Sequence, residues 1–183
     1  MTDESKFAKP EYYKIHIDAP IETVWSELIA TTSPRPFFWN SNWDTKKMAA
    51  GSPYRVISTD GKTVAVVGEI LEMEPPHRLV TTFRLTSLDD PASKVIYSLN
   101  EKDGGTEFTL ITEEIPAGSK SEKSMADGAK FITSNFKAFV ETGKVTFGAR
   151  IMLAMFKLMA PLTPKSMSAD KWPLDNKNND QLD

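Results

Sequence analysis

KVIYSLNEKDGGTEFTLITEEIPAGSKSEKSMADGAKFITSNFKAFVETG, residues 94 to 143, decides the architecture of this chain. Its first half reads as two strands, Lys94 to Glu101 and Thr106 to Glu114, folded into a hairpin around Asp103-Gly104-Gly105. After Ser119 the apolar period lengthens from two to 3.6. Ser119 and Glu122 match a capping box, in which the hydroxyl accepts an orphan N–H and the carboxylate reaches back. Met125, Gly128, Ala129, Ile132, Phe136, Phe139 and Val140 then fall on one helical face, and Gly143 is a stop signal. An antiparallel sheet needs one face covered, and this helix is the only element large enough to cover it.

Working back toward the N-terminus, further strands are expected at Arg78 to Leu85, at Lys62 to Met73 (closed by Pro75-Pro76) and at Tyr54 to Thr59. Tight turns between consecutive strands mean an antiparallel meander. Earlier still, Tyr13, Ile15 and Ile17 alternate with Tyr12, Lys14 and His16, the mark of a half-buried strand. Asp18-Ala19-Pro20 ends it and opens a helix with Glu22 near the positive end and Ile21, Val24, Trp25 and Leu28 on one stripe. Ser33-Pro34-Arg35-Pro36 breaks that helix, and Phe37, Phe38, Trp39 and Trp43 follow. The expected fold is α+β: a curved antiparallel sheet wrapped around a long C-terminal helix, with an internal apolar cavity between them.

Toward the C-terminus a further helix, Lys144 to Ala160, carries Phe147, Ile151, Met152, Leu153, Met155, Phe156, Leu158 and Met159, and within that apolar stretch only Arg150 and Lys157 are charged. Such a surface requires cover from its own domain, a partner or lipid. A homodimer through residues 144–160 is the expectation, a membrane-surface helix the rival, and self-packing the least demanding choice. The chain thus divides into a flexible N-terminus (1–10), a main domain (11–143), an extra helix and extension (144–174) and a disordered tail (175–183).

Composition removes several functions. The 183 residues include no Cys, so disulfides, thiol nucleophiles and Cys-ligated metals are excluded, and a reducing cytoplasm is the expected location. A net charge of −3 is wrong for a domain that grips phosphate backbone, so no nucleic acid is expected as a partner. MTDESKFAKP has no apolar signal-peptide core, and no run of 18 apolar residues predicts a membrane span. His16 and His77 stand far apart without companion ligands, and no Gly-x-Ser-x-Gly elbow occurs. No metal, cofactor or catalytic residue is therefore expected.

The stretch IHIDAPIETVW (Ile15 to Trp25) resembles the opening of the Activator-of-Hsp90-ATPase-homologue proteins, members of the START-like or Bet v 1-like superfamily. GEILEMEPPHRLVTTF (Gly68 to Phe83) is similar to that family's most typical internal stretch, and Ala50 to Arg55 also fits. The resemblance spans roughly Tyr12 to Gly143. It implies a helix-grip fold with a ligand cavity between sheet and long helix, and no single function.

From alternation and this resemblance, the expected pocket lining is Trp25, Phe38, Trp39, Trp43, Tyr54, Phe83, Tyr97, Phe108, Ile132 and Phe136. For each aromatic, plain core packing is the competing role. Arg55 and Glu69 are the possible polar anchors. Gly128, inside the helical stripe, costs about 1 kcal/mol relative to Ala, so either a close backbone approach or room for ligand should offset it. The function read from this is non-catalytic binding of a small, largely apolar molecule. The alternative is an enzyme of cyclase, dehydratase or hydrolase type acting on an aromatic or polyketide-like substrate, with Glu69, Arg55 and Tyr97 as its ionisable groups. An Hsp90-type co-chaperone or stress-response protein comes third, because characterised family co-chaperones carry an additional N-terminal domain for which this chain leaves no room.

Overall fold

The structure is a computed structural model and describes residues 6–174. Strand β1 (Glu11–Ile17) and helix α1 (Ile21–Ile29) lead into a 3₁₀ turn at Pro36–Phe38. The meander follows as β2 (Ser41–Asp44), β3 (Pro53–Ser58), β4 (Val64–Glu74), β5 (Arg78–Leu85), β6 (Ser93–Lys102) and β7 (Gly105–Glu113). Then come α2 (Lys120–Thr142) and α3 (Phe147–Met159). All seven strands form one sheet in the order β1-β7-β6-β5-β4-β3-β2, antiparallel throughout. Register shifts between Val56 and Ile57 and between Ile70 and Glu72 bend the strands, which curls the sheet around α2.

β2 is the strand that the sequence pattern conceals. Ser-Asn-Trp-Asp has no apolar alternation, and the segment is extended because Trp43 pairs opposite Val56 at the sheet edge. The indole of Trp43 is buried and donates to the Leu28 carbonyl at 3.1 Å, tying the edge to the end of α1.

The helix that fills the sheet is fixed at its start. Ser119 accepts from the Glu122 N–H at 3.3 Å, while the Glu122 carboxylate accepts from the Gly118 N–H at 2.8 Å, one residue earlier than a strict capping box. The Ser121 N–H and hydroxyl both donate to Asp90 in the β5–β6 loop, at 2.9 and 2.8 Å. Met125, Ala129, Ile132 and Phe136 face the core, and Gly143 ends the helix with a left-handed φ of 73°. The expected stripe is therefore the buried one, with Phe139 and Val140 only partly covered.

Gly68 has a structural reason to be glycine. A Cβ there would lie 2.1 Å from the Thr82 carbonyl oxygen and 2.8 Å from the Tyr54 ring. The missing side chain lets the Tyr54 ring lie against β4, with its hydroxyl donating to that same carbonyl at 2.7 Å.

Both ends of the described segment are tied to the fold by hydrogen bonds. Of the lead-in expected to be flexible, residues 6–10 are held to the segment before α2, with Ala8 N–H donating to Ile115 at 2.8 Å. Residues 1–5 of that lead-in, and the tail 175–183, lie outside the described residues. Past α2, Thr146 caps α3 and its N–H and hydroxyl both donate to the buried Asn135 amide oxygen, at 3.0 and 2.9 Å. At the far end Ser168 bridges Thr63, Ala169 N–H donates to Lys62, and Arg55 donates to the Trp172 carbonyl at 2.7 Å. The Arg84 guanidinium sits 5.5 Å from the Trp172 ring centre. The extension is a strap fastened at both ends.

Candidate functional site

The sequence puts Val95 and Tyr97 on one face of β6 and Leu110 and Thr112 on the same face of β7, where Tyr97 stands opposite Leu110 and Val95 opposite Thr112. Phe83 and Leu85 of β5 continue this floor, and Met125, Gly128, Ala129 and Ile132 of α2 form the roof. Between them lies a cavity of about 30 Å³, closed at one side by Trp39 and Ser124. That volume holds a water or two rather than an organic ligand. The space is thus far smaller than the ligand cavity expected from the sequence.

Four of the ten expected lining residues, Trp39, Phe83, Tyr97 and Ile132, border this cavity. The other six do not reach it, because they are spent on packing against each other. Phe38 meets Trp43 edge-on with ring centres 5.5 Å apart, and Trp43 meets Tyr54 at 4.8 Å. Phe108 packs on Phe136 at 4.9 Å, and Trp25 is buried in the same core. Leu85, Val95, Leu110 and Thr112 were missed. The period of two that places Tyr97 and Phe108 also points to Val95, Leu110 and Thr112, but weight given to aromatics hid it.

The two expected polar anchors, Glu69 and Arg55, stand away from this cavity. Glu69 is exposed, and only its backbone N–H is engaged, donating to the Thr82 hydroxyl at 2.8 Å. Arg55 is paired with Asp44 and bonded to the Trp172 carbonyl, away from the cavity. Both stand on the outward register of their strands, so Glu69, Arg55 and Tyr97 do not converge. Among the described residues, no charged side chain lines the cavity and no cluster of His, Asp or Glu is arranged to hold a metal.

Three polar residues border this apolar space, Tyr97, Thr112 and Ser124. The Tyr97 hydroxyl is 0 % exposed as a residue and has no hydrogen-bond partner, and the Thr112 hydroxyl, at 1 %, has none either. A buried hydroxyl left unmade costs about 1–3 kcal/mol. Burial, and secondly the nearby Tyr54 phenol, push the Tyr97 pKa well above its ordinary value, so Tyr97 stays a neutral donor. Tyr54 is equally buried but satisfied, through Thr82 at 2.7 Å and Thr81 at 3.4 Å.

Trp39 closes the space from a turn of unusual backbone. Trp39 and Asn40 take φ of 51° and 57°, left-handed values that bulky residues avoid. The half-buried indole stacks on Phe131 of α2, centres 5.4 Å apart and planes 12° off parallel. A Cβ at Gly128 would come within 3.3 Å of that indole. The glycine therefore accommodates an aromatic lid, and not the sheet backbone.

A curled antiparallel sheet gripping one long helix, with a void between them, defines a Bet v 1-like, START-like helix-grip protein. Residues 18–141 match the sequence profile described as "Activator of Hsp90 ATPase homolog 1-like protein", and the chain belongs to that family. No curated protein matches the sequence. Among solved structures it is similar to CalU16 from Micromonospora echinospora, with 19% identity over 82% of this chain and 84% of that one and a TM-score of 0.59. DynU16, a protein of the dynemicin biosynthetic locus, aligns at 22% identity over 75% of this chain and 49% of its own, TM-score 0.61. PFC0360w, an Hsp90 activator from Plasmodium falciparum, aligns at 16% over 73% and 96%, TM-score 0.58. At such identities the likeness is one of fold.

Proposed function

We propose that this protein binds, without transforming it, a small and largely apolar molecule that carries one hydrogen-bonding oxygen. The observation that carries the reading is a pair of unpartnered buried hydroxyls, on Tyr97 and Thr112, two residues that border a largely apolar cavity. Each is a group waiting for a partner that the protein does not supply. A carbonyl or ether oxygen would accept from Tyr97, and a ligand hydroxyl could donate to Thr112 as well. The absence of a charged lining residue among those described supports binding over acid–base chemistry, which needs a proton carrier within reach.

Sites for drug-sized molecules measure about 300 Å³ or more, so a ligand requires this cavity to widen. Trp39 is the element to move. It is half-buried, holds a left-handed backbone, and rests on Phe131 rather than being locked in the core. Native mass spectrometry of gently purified protein, together with titration by a neutral fluorescent dye, tests this. Trp39→Ala should tighten dye binding by removing the lid, whereas Gly128→Leu should abolish it by filling the cavity. Absence of any uptake in both the wild type and Trp39→Ala overturns the binding reading.

A further inference from the structure

The strap formed by residues 144–174 presents its helix in an unusual way. Phe147 is 74 % exposed and Leu158 84 %, with Ile151, Met155, Met159 and Leu162 exposed beside them. At spacings of three and four Phe147, Ile151, Met155, Leu158 and Met159 form one stripe along α3, Leu162 follows in the 3₁₀ turn after it, and Phe156 is exposed as well. The opposite side of the helix is the one used for packing, through the buried Ala149 and the partly buried Leu153. Because the strap is bonded at Asn135 before α3 and at Lys62, Thr63 and Arg55 after it, the apolar stripe is held facing outward.

Charge says what this face meets. Between Thr142 and Ala169 the sequence holds Lys144, Arg150, Lys157 and Lys165 and not one Asp or Glu, in a chain whose net charge is −3. All four cations are exposed, and none has an ion-pair partner among the described residues. Arg150 and Lys157, seven positions apart, run along one flank of the apolar stripe. An apolar stripe edged by unanswered cations is the pattern of a helix lying in a lipid–water interface, with its side chains in the acyl boundary and its cations at anionic headgroups.

Two other occupants fit less well. A second copy using the same patch would bring Arg150 and Lys157 against their own equivalents, with no acid on the face to answer them. Outside the described residues the sequence offers only Met1 and Leu182 as apolar side chains, too little to cover this face. We propose that α3 docks this protein in the plane of an anionic lipid surface.

Flotation of the full chain with phosphatidylcholine vesicles containing roughly one-third phosphatidylserine tests it, beside pure phosphatidylcholine vesicles. The protein should float with the anionic vesicles, lose binding as salt rises, and remain behind with the neutral ones. Leu158→Glu, at a fully solvated position, should abolish flotation while the melting temperature holds. Arg150→Gln and Lys157→Gln should each weaken binding by about five-fold. Tyr97→Phe, which touches only the cavity, should float like the wild type. Failure to float overturns the proposal, as does flotation indifferent to both charge variants. It is equally overturned if light scattering shows a dimer that Leu158→Glu dissolves without any effect of lipid.

Discussion

Two tyrosines divide the interior of this molecule. Tyr54, at the end formed by Phe38, Trp43 and Gly68, lies in a packed region where its hydroxyl is matched to a carbonyl at 2.7 Å. Tyr97, a few strands away, is just as buried but borders a void and has no partner. Their burial is the same, so burial alone does not mark a site. What separates the two tyrosines is that the fold answers one buried hydroxyl and leaves the other without a partner. At the Tyr54 end every large group has been given a neighbour, even at the expense of a side chain at position 68. At the Tyr97 end the fold leaves both space and hydrogen bonds unfilled.

The sharpest way to break this contrast is at the packed end. Gly68→Ala puts a methyl 2.1 Å from the Thr82 carbonyl oxygen, which is backbone and cannot swing away. A loss of about 3 kcal/mol is expected from urea unfolding, at the upper end for overpacked sites. A variant as stable as the wild type would mean that the Tyr54 region is looser than its contacts imply. Gly128→Ala is the matched control. Its new methyl meets only the rim of the Trp39 indole, at 3.3 Å, and a mobile lid can give way. A penalty below about 1 kcal/mol is expected there, since helix propensity favours Ala.

High pH should act on both regions together. Burial raises the pKa of Tyr54 and of Tyr97 above the ordinary tyrosine value of about 10. A group whose folded pKa is raised contributes stability that is complete below its unfolded pKa and is lost as pH climbs toward the folded one. Stability should therefore be flat up to about pH 10 and fall above it, by up to about 1.4 kcal/mol per pH unit for each tyrosine. Urea midpoints measured across that window check the slope. Tyr54→Phe should lose about 1 kcal/mol at neutral pH, because it strands the Thr82 carbonyl, while making the alkaline slope shallower.

Much of this architecture was legible because the relevant signals are local. Ile21, Val24, Trp25 and Leu28 appear at helical spacing and are the buried face of α1. Arg78 to Leu85 is a strand with the bounds its turn residues suggest. β2 was not legible, since its four residues owe their conformation to the partner strand and not to their own pattern. The site was legible only in part for a related reason. Aromatic residues advertise a core, but whether a ring packs or lines a void depends on which rings it meets across the fold. Trp43 meets Phe38 and Tyr54, whereas Trp39, four positions away, swings out on a left-handed turn. Arg55 and Glu69 stand outward by plain alternation, between the buried Tyr54 and Val56 on β3 and the buried Gly68 and Ile70 on β4.

Tyr97→Phe carries the smallest expected change in stability and the most information. Removing a hydroxyl that bonds nothing should leave the fold within about 1 kcal/mol of the wild type, and a slight gain is expected, because an unmet donor is deleted without stranding an acceptor. Tyr54→Phe, the same chemical change at the same burial, should move stability the other way. If the two substitutions prove equally destabilising, then Tyr97 has a partner within the protein, and the contrast between the two regions collapses. If instead Tyr97→Phe is neutral for unfolding yet weakens ligand uptake about ten-fold, the hydroxyl is kept for something outside the chain. Thr112→Val offers the parallel case on the neighbouring strand, with a smaller loss expected because a threonine hydroxyl can also turn toward backbone carbonyls. Measuring unfolding and uptake on the same four proteins separates a fold that tolerates unpaired hydroxyls from one that holds them ready for a guest.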